Sequence, residues 1–152
     1  MRQGLAAWRA TGAEIARTYY LALLAEAYGK VEQAEEGVSV LAEALALVDQ
    51  SGERRWEAEL YRLKGEILLM QEGKEQKWSA AEECFHQALD IARQQQAKSL
   101  ELRAAMSLSR LWQQQDKRAE ARQLLAPIYN WFTEGFDTAD LQEAKALLEG
   151  LA

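Results

Sequence analysis

The chain has 152 residues, of which Ala, Leu, Glu and Gln make up 82, while Val, Ile and Thr together give 12. Good helix formers dominate and β-branched residues are scarce, which excludes a sheet-based fold. The net charge is −6, shared as −4 in the first 76 residues and −2 in the last 76, so neither half carries a basic footprint for nucleic acid.

The remaining composition narrows the class further. Cys84 is the single cysteine and His86 the single histidine. One thiol makes no internal disulfide, and the two residues together fall short of a closed zinc site. Apolar stretches such as Tyr19–Ala25 and Ile67–Met70 are too short to span a bilayer, and Met1–Ala10 has no continuous apolar core of a secretory signal. No membrane partner and a cytoplasmic location are therefore expected.

A 3.6-residue apolar period runs along most of the chain and predicts seven amphipathic helices. In order they are Ala13–Lys30 (stripe Tyr20, Leu24, Ala27, Tyr28) and Gln33–Gln50 (Val38, Leu41, Leu45, Val48). Glu53–Glu72 (Trp56, Leu60, Leu63, Ile67, Leu68) and Trp78–Gln95 (Ala81, Phe85, Leu89, Ala92) follow. Ser99–Gln115 (Leu102, Met106, Leu108, Leu111, Trp112), Lys117–Thr133 (Ala121, Leu124, Leu125, Ile128) and Thr138–Glu149 (Leu141, Ala144, Leu147, Leu148) complete the set. Gly12, Gly52 and Gly135 are placed to close helix C-termini in the left-handed conformation, and Asp137 to cap the last helix. Pro127 removes a backbone donor inside its helix, so a kink near Gln123–Pro127 is expected.

The stripes repeat. Aligning Gly37, Ala81 and Ala121 brings Leu41, Phe85 and Leu125 together four residues later, and Ala44, Ala88 and Ile128 seven later. On the preceding helices, Leu24, Lys64 and Leu108 are followed by the small residues Ala25, Gly65 and Ser109, then by the large Tyr28, Leu68 and Trp112. The spacing from Ala44 to Lys64 and from Ala88 to Leu108 is 20 residues in both cases. The second pair of helices carries four extra residues in Gly73-Lys74-Glu75-Gln76-Lys77, read as a charged loop. The unit is a two-helix hairpin of about 40 residues, with a part-repeat at each end. A small residue at a helix crossing permits close approach, and the large residue one turn on fills the adjacent space. One hairpin cannot bury both faces, so stacking completes the core.

This pattern resembles the tetratricopeptide repeat (TPR) family. The matches are Leu24-Ala25…Tyr28 with Gly37…Leu41…Ala44, then Gly65…Leu68 with Ala81…Phe85…Ala88, then Leu108-Ser109…Trp112 with Ala121…Leu125. Ile128 departs from the small residue, Asp49 and Arg93 stand where the family has proline, and the period exceeds the family's 34. Segments such as Trp56–Gly65, Glu101–Trp112 and Trp131–Lys145 are similar to the C-terminal repeat arm of large bacterial regulators. Those proteins join a cyclase or DNA-binding module to an AAA/STAND-type ATPase. The resemblance implies an all-α fold of antiparallel hairpins stacked in a right-handed α-solenoid of seven to eight helices. It divides the chain into a tail of a preceding repeat (1–12), repeats at 13–52, 53–97 and 98–135, and a capping helix at 136–152.

The function implied is protein–protein interaction, as the sensing or assembly arm of a larger bacterial signalling ATPase or cyclase. A freestanding dimerising adaptor is the alternative. An enzyme is the remote third, since only His86 and Cys84 offer nucleophile–base chemistry and no glycine-rich phosphate loop is present. The carboxylate pairs Glu82-Glu83 and Asp137…Asp140 read as a solvated face and a helix cap. No cofactor and no metal are expected. The partner is a protein or peptide, with a homodimer possible.

By the same resemblance, the first helices of the hairpins line a concave groove. Its positions are Tyr19, Ala22, Glu26, Gly29 and Lys30; then Glu59, Arg62, Glu66, Leu69 and Met70; then Arg103, Met106, Arg110, Gln113 and Gln114. With a basic third repeat, a peptide carrying acidic and apolar groups suits it. Ala22 and Glu26 replace two residues of the family's clamp for a terminal carboxylate, so that clamp is absent. Trp56 and Trp112 fall on core stripes, Trp8 closes the first hairpin, and Trp131, Phe132 and Phe136 form an aromatic group near the C-terminal end. Leu5 and Trp8 give the first segment an apolar face, which marks either a piece of something longer or a surface for end-to-end association.

Overall fold

The structure, a computed structural model, describes residues 3–4, 17–71 and 74–152, with Lys74 described for its backbone alone. Among the described residues the fold is all-helical, with seven helices and no strand. We number them α1 (Arg17–Lys30), α2 (Ala34–Ser51), α3 (Glu57–Met70), α4 (Lys74–Gln94), α5 (Lys98–Gln114), α6 (Arg118–Trp131) and α7 (Ala139–Gly150).

Each helix packs against the next in sequence, and α1, α3, α5 and α7 also pack against one another in succession. The apolar stripes meet in two clusters. One joins Leu21, Leu24 and Ala25 of α1, Val40, Leu41, Ala44 and Val48 of α2, and Leu60, Leu63 and Ile67 of α3. The other is built on Phe85 and Leu89 of α4, Leu102, Leu108 and Leu111 of α5, Leu125 and Ile128 of α6, and Leu141 of α7. Tyr61, Leu68 and Leu69 lie against this second cluster, so α3 contributes to both.

The small residues sit where helices come closest. A Cβ at Gly65 would stand 2.5 Å from Cε1 of Phe85, which is fully buried. A Cβ at Gly37 would stand 2.7 Å from Cδ1 of Ile67. Ser109 is fully buried, and its hydroxyl donates to the Ala121 carbonyl at 3.3 Å.

Three inter-helix turns share one construction. Glu32, Gln96 and Asp116 adopt φ of 58°, 55° and 60°. The amides of Gln33, Ala97 and Lys117 donate to the carbonyls of Tyr28, Ala92 and Trp112 at 2.9, 2.9 and 2.8 Å. The preceding amides, of Glu32, Gln96 and Asp116, reach Gly29, Arg93 and Gln113. This is the Schellman arrangement, which satisfies the last carbonyls of a helix. Here non-glycine residues hold the left-handed position.

Several boundaries differ from the sequence expectation. Gly52 does close α2, at φ 73° with its amide on the Val48 carbonyl. Gly135 is left-handed at φ 78° but lies beyond the end of α6, whose C-cap is Phe132. Its carbonyl accepts from the Thr138 hydroxyl and amide, and Thr138 rather than Asp137 is the N-cap of α7. Lys74–Lys77, read as loop, form the first turn of a 21-residue α4, because a charged segment beside a packed helix continues it at no desolvation cost. Trp56 falls at the N-cap of α3, and Glu53–Arg55 precede the helix. As expected, α6 continues past Pro127, to Trp131; the residue whose carbonyl loses its amide partner, Gln123, is exposed. Gly12 and Gly73 lie outside the described residues.

Candidate functional site

The expected groove positions lie on α1, α3 and α5. Their side chains divide into three groups: buried, paired and open.

Met106 is buried at 3% exposure and belongs to the core, not to an open face. Glu59 and Arg62 are also buried. They form a two-pronged pair, with Arg62 Nε donating to Glu59 Oε2 at 2.9 Å and Nη2 to Oε1 at 2.7 Å. The three-residue spacing places both on one side of α3. Burial alone would lower the Arg62 pKa, but the bonds to Glu59 and the nearby carboxylates of Glu59, Glu66 and Glu26 outweigh it and hold the pKa above its ordinary value.

The pair extends across helices. Arg103 Nη1 of α5 lies 2.8 Å from Glu59 Oε1, and its Nε lies 3.8 Å from Asp140 Oδ2 of α7. Ser107 donates to Glu66 Oε1 at 2.6 Å and accepts from Arg62 Nη1 at 3.4 Å. One polar chain thus links α3, α5 and α7. Further along, Arg110 donates to Glu143 of α7 at 3.1 Å. The cations expected to greet an acidic peptide are each paired internally. The sequence reading missed this because the partners on α7 lie 33 to 37 positions away and carry no local signal.

The remaining positions are more open. Tyr19 is half-buried and stacks on Trp56, ring centroids 4.8 Å apart, while Arg55 covers the other ring at 5.7 Å. Glu26 pairs with Lys30 at 3.0 Å, a solvated one-turn pair of small energetic weight. Met70 is 45% exposed at the end of α3. Gln113 is half-buried and Gln114 exposed. Leu5 and Trp8, the expected association residues, lie outside the described residues.

Between α1 and α3 this face holds a recess of about 170 Å³. Its floor and walls are Gly29, Leu63, Ile67 and Met70, with Glu26 and Glu66 at the sides. A Cβ on Gly29 would stand 3.6 Å from the Met70 methyl, so the missing side chain is what leaves the space.

The residues weighed for chemistry sit apart from this face. Cys84 is buried, and burial raises its thiol pKa above the ordinary value, against the pull of Lys64. His86 is exposed; its Nε2 lies 3.7 Å from Glu82 Oε1. The same Glu82 oxygen accepts from the Trp112 indole at 2.8 Å, so this carboxylate anchors a packed aromatic. Among the described residues, no group of three or more His, Cys, Asp or Glu is placed to hold a metal, and no helix is long and apolar enough to cross a membrane. Near the C-terminal end, Trp131 is 58% and Phe136 47% exposed. Lys98 lies 5.5 Å over the Trp131 ring, and Phe136 packs on Tyr129 at 5.9 Å.

No known protein-family model matches this chain, and no curated protein is significantly similar to it.

Proposed function

We propose that the chain is a protein-interaction module built from TPR-like helical hairpins stacked as a solenoid, serving as the sensing or assembly arm of a larger bacterial signalling protein. The observation that carries this reading is the succession of contacts along α1, α3, α5 and α7. These helices supply one face in common, while α2, α4 and α6 pack behind them through the small residues Gly37, Gly65 and Ser109. The polar chain through Glu59, Arg62, Arg103 and Asp140 ties neighbouring hairpins together. It makes the face a fixed platform rather than a set of free charges. Binding, not catalysis, suits such a surface: the thiol of Cys84 is buried, and the carboxylate beside His86 is engaged by Trp112.

Site-specific photo-crosslinking in cells tests the reading. A benzophenone side chain at Met70 or Gln114 should capture a protein partner, and one at Arg122 on the far side of α6 should not. Equal capture from both faces, or from neither, would overturn it.

A further inference from the structure

The recess between α1 and α3 differs from the rest of this face. It is apolar, open, and not filled by any side chain of the described residues. At about 170 Å³ it falls below the ~300–1,000 Å³ of sites that enclose a whole small-molecule ligand. It matches one aliphatic side chain. Its surroundings are acidic. Glu26 and Glu66 flank it, and a shallow hollow at the same end of α3, against Gln71, is lined by Glu32, Glu35 and Glu36. The two depressions together carry five carboxylates and two cations. Of the cations, Arg62 is engaged by Glu59 and Glu66 and Lys30 pairs with Glu26, which leaves Glu32, Glu35 and Glu36 as the unbalanced charge. Among the described residues no cation pairs with Glu32, Glu35 or Glu36. Both contacts made by Glu66 fall on Oε1. Val31, 62% exposed, adds an apolar shoulder beside the hollow.

We propose that this recess seats an aliphatic side chain from a lysine- or arginine-flanked segment of a partner protein. The apolar side chain fills the space that Gly29 leaves beside Met70. The flanking cations meet Glu32, Glu35 and Glu36, with Glu26 shared with Lys30 at the other side, and long-range attraction favours encounter and fixes register. The proposal rests on the interaction-module reading and specifies its partner: basic and apolar, the opposite sign from the acidic peptide that the sequence of the third repeat suggests.

The probes are three fluorescent short peptides of alternating Lys/Leu, Lys/Ser and Glu/Leu sequence, titrated with the full chain by anisotropy. The Lys/Leu peptide should bind at least about tenfold tighter than either other peptide, a difference of about 1.4 kcal/mol. Binding should weaken with added salt. Gly29→Leu, which fills the recess, and Glu26→Lys, which reverses its flank, should each cost about tenfold. Met70→Ser, at an exposed position, removes the apolar wall and keeps the test valid should Gly29→Leu fail to fold by circular dichroism. Equal binding of Lys/Ser and Lys/Leu, or indifference to both Gly29→Leu and Met70→Ser, would overturn the proposal. Preference for Glu/Leu would overturn it while leaving the interaction-module reading intact. No binding by any peptide would also overturn it, and the crosslinking experiment would then decide the broader reading alone.

Discussion

The glycines of α1, α2 and α3 allow the packing argument to be tested with one substitution made in three places. Gly65→Ala adds a methyl 2.5 Å from Phe85 Cε1 and within 2.9 Å of two further ring atoms. Phe85 is fully buried, so the ring cannot swing into solvent. Overpacking of this kind costs about 1–3 kcal/mol, against about 1 kcal/mol gained in helix propensity when glycine becomes alanine. The net loss is up to about 2 kcal/mol, which for a chain of this length lowers Tm by up to roughly 8 °C. Gly37→Ala meets only the flexible tip of Ile67, at 2.7 Å, with every other neighbour at 3.7 Å, so its two effects should nearly cancel. Gly29→Ala meets Met70 at ordinary contact distance and should stabilise by about 0.5–1 kcal/mol, raising Tm by roughly 1–4 °C. Thermal melts followed by far-ultraviolet circular dichroism give the order directly. A double-mutant cycle with Phe85→Leu should return a favourable coupling of about 1 kcal/mol for Gly65→Ala. If Gly65→Ala proved as stable as Gly29→Ala, the close crossing of α3 and α4 would be refuted.

Other substitutions probe the polar parts. Glu59→Ala strips the partner from buried Arg62 and should cost about 3–5 kcal/mol in urea unfolding, whereas Glu143→Ala on the exposed Arg110 pair should cost less than about 1 kcal/mol. Equal costs would contradict the burial of the first pair. Glu101 is buried, which opposes its charge, but Lys98 at 2.9 Å and Arg93 at 3.0 Å prevail and pull its pKa below the ordinary 4.5. Its contribution to stability is therefore complete above that value and is lost as pH falls through it towards the folded pKa. Glu101→Gln should flatten this acid limb, as read by Tm against pH. Gln96→Gly relieves a left-handed residue whose conformation costs about 1–2 kcal/mol, partly offset by glycine entropy, so Tm should rise by a few degrees; a fall would mean that the Gln96 side chain supports the turn.

Much of the architecture is legible in the sequence because it is written in short-range periodicity. The stripes of Leu41, Phe85 and Leu125 are core residues, and Gly65 and Phe85 meet as small and large partners should. The turns were harder to place, since Glu32, Gln96 and Asp116 hold the position where glycine is the usual sign. Hydrogen bonds from the following amides set these turns, and side-chain identity shows no trace of them. The candidate face was legible as a set of helix positions but not as an electrostatic surface. Arg103 and Arg110 read as open cations until α7 brings Asp140 and Glu143 to them. Met106 reads as groove by register and is core by packing. The recess is legible only through an absence, the missing side chain of Gly29, which no residue pattern advertises.

The double duty of α3 has a consequence for how the molecule opens. Among the described residues, α1 and α2 pack only against each other and against α3. Within the described residues this pair is joined to the rest through α3 alone, so it can open while the Phe85-centred cluster survives, a sub-global opening with its own free energy. Amide exchange in α1 and α2 should then be faster than in α5, with one shared protection value across the pair. A partner side chain seated against both Gly29 and Ile67 bridges the detachable pair to the part that stays. Its affinity adds directly to the opening energy, so occupancy of the recess would be read out as slowed exchange in α2, a helix that contributes nothing to the recess.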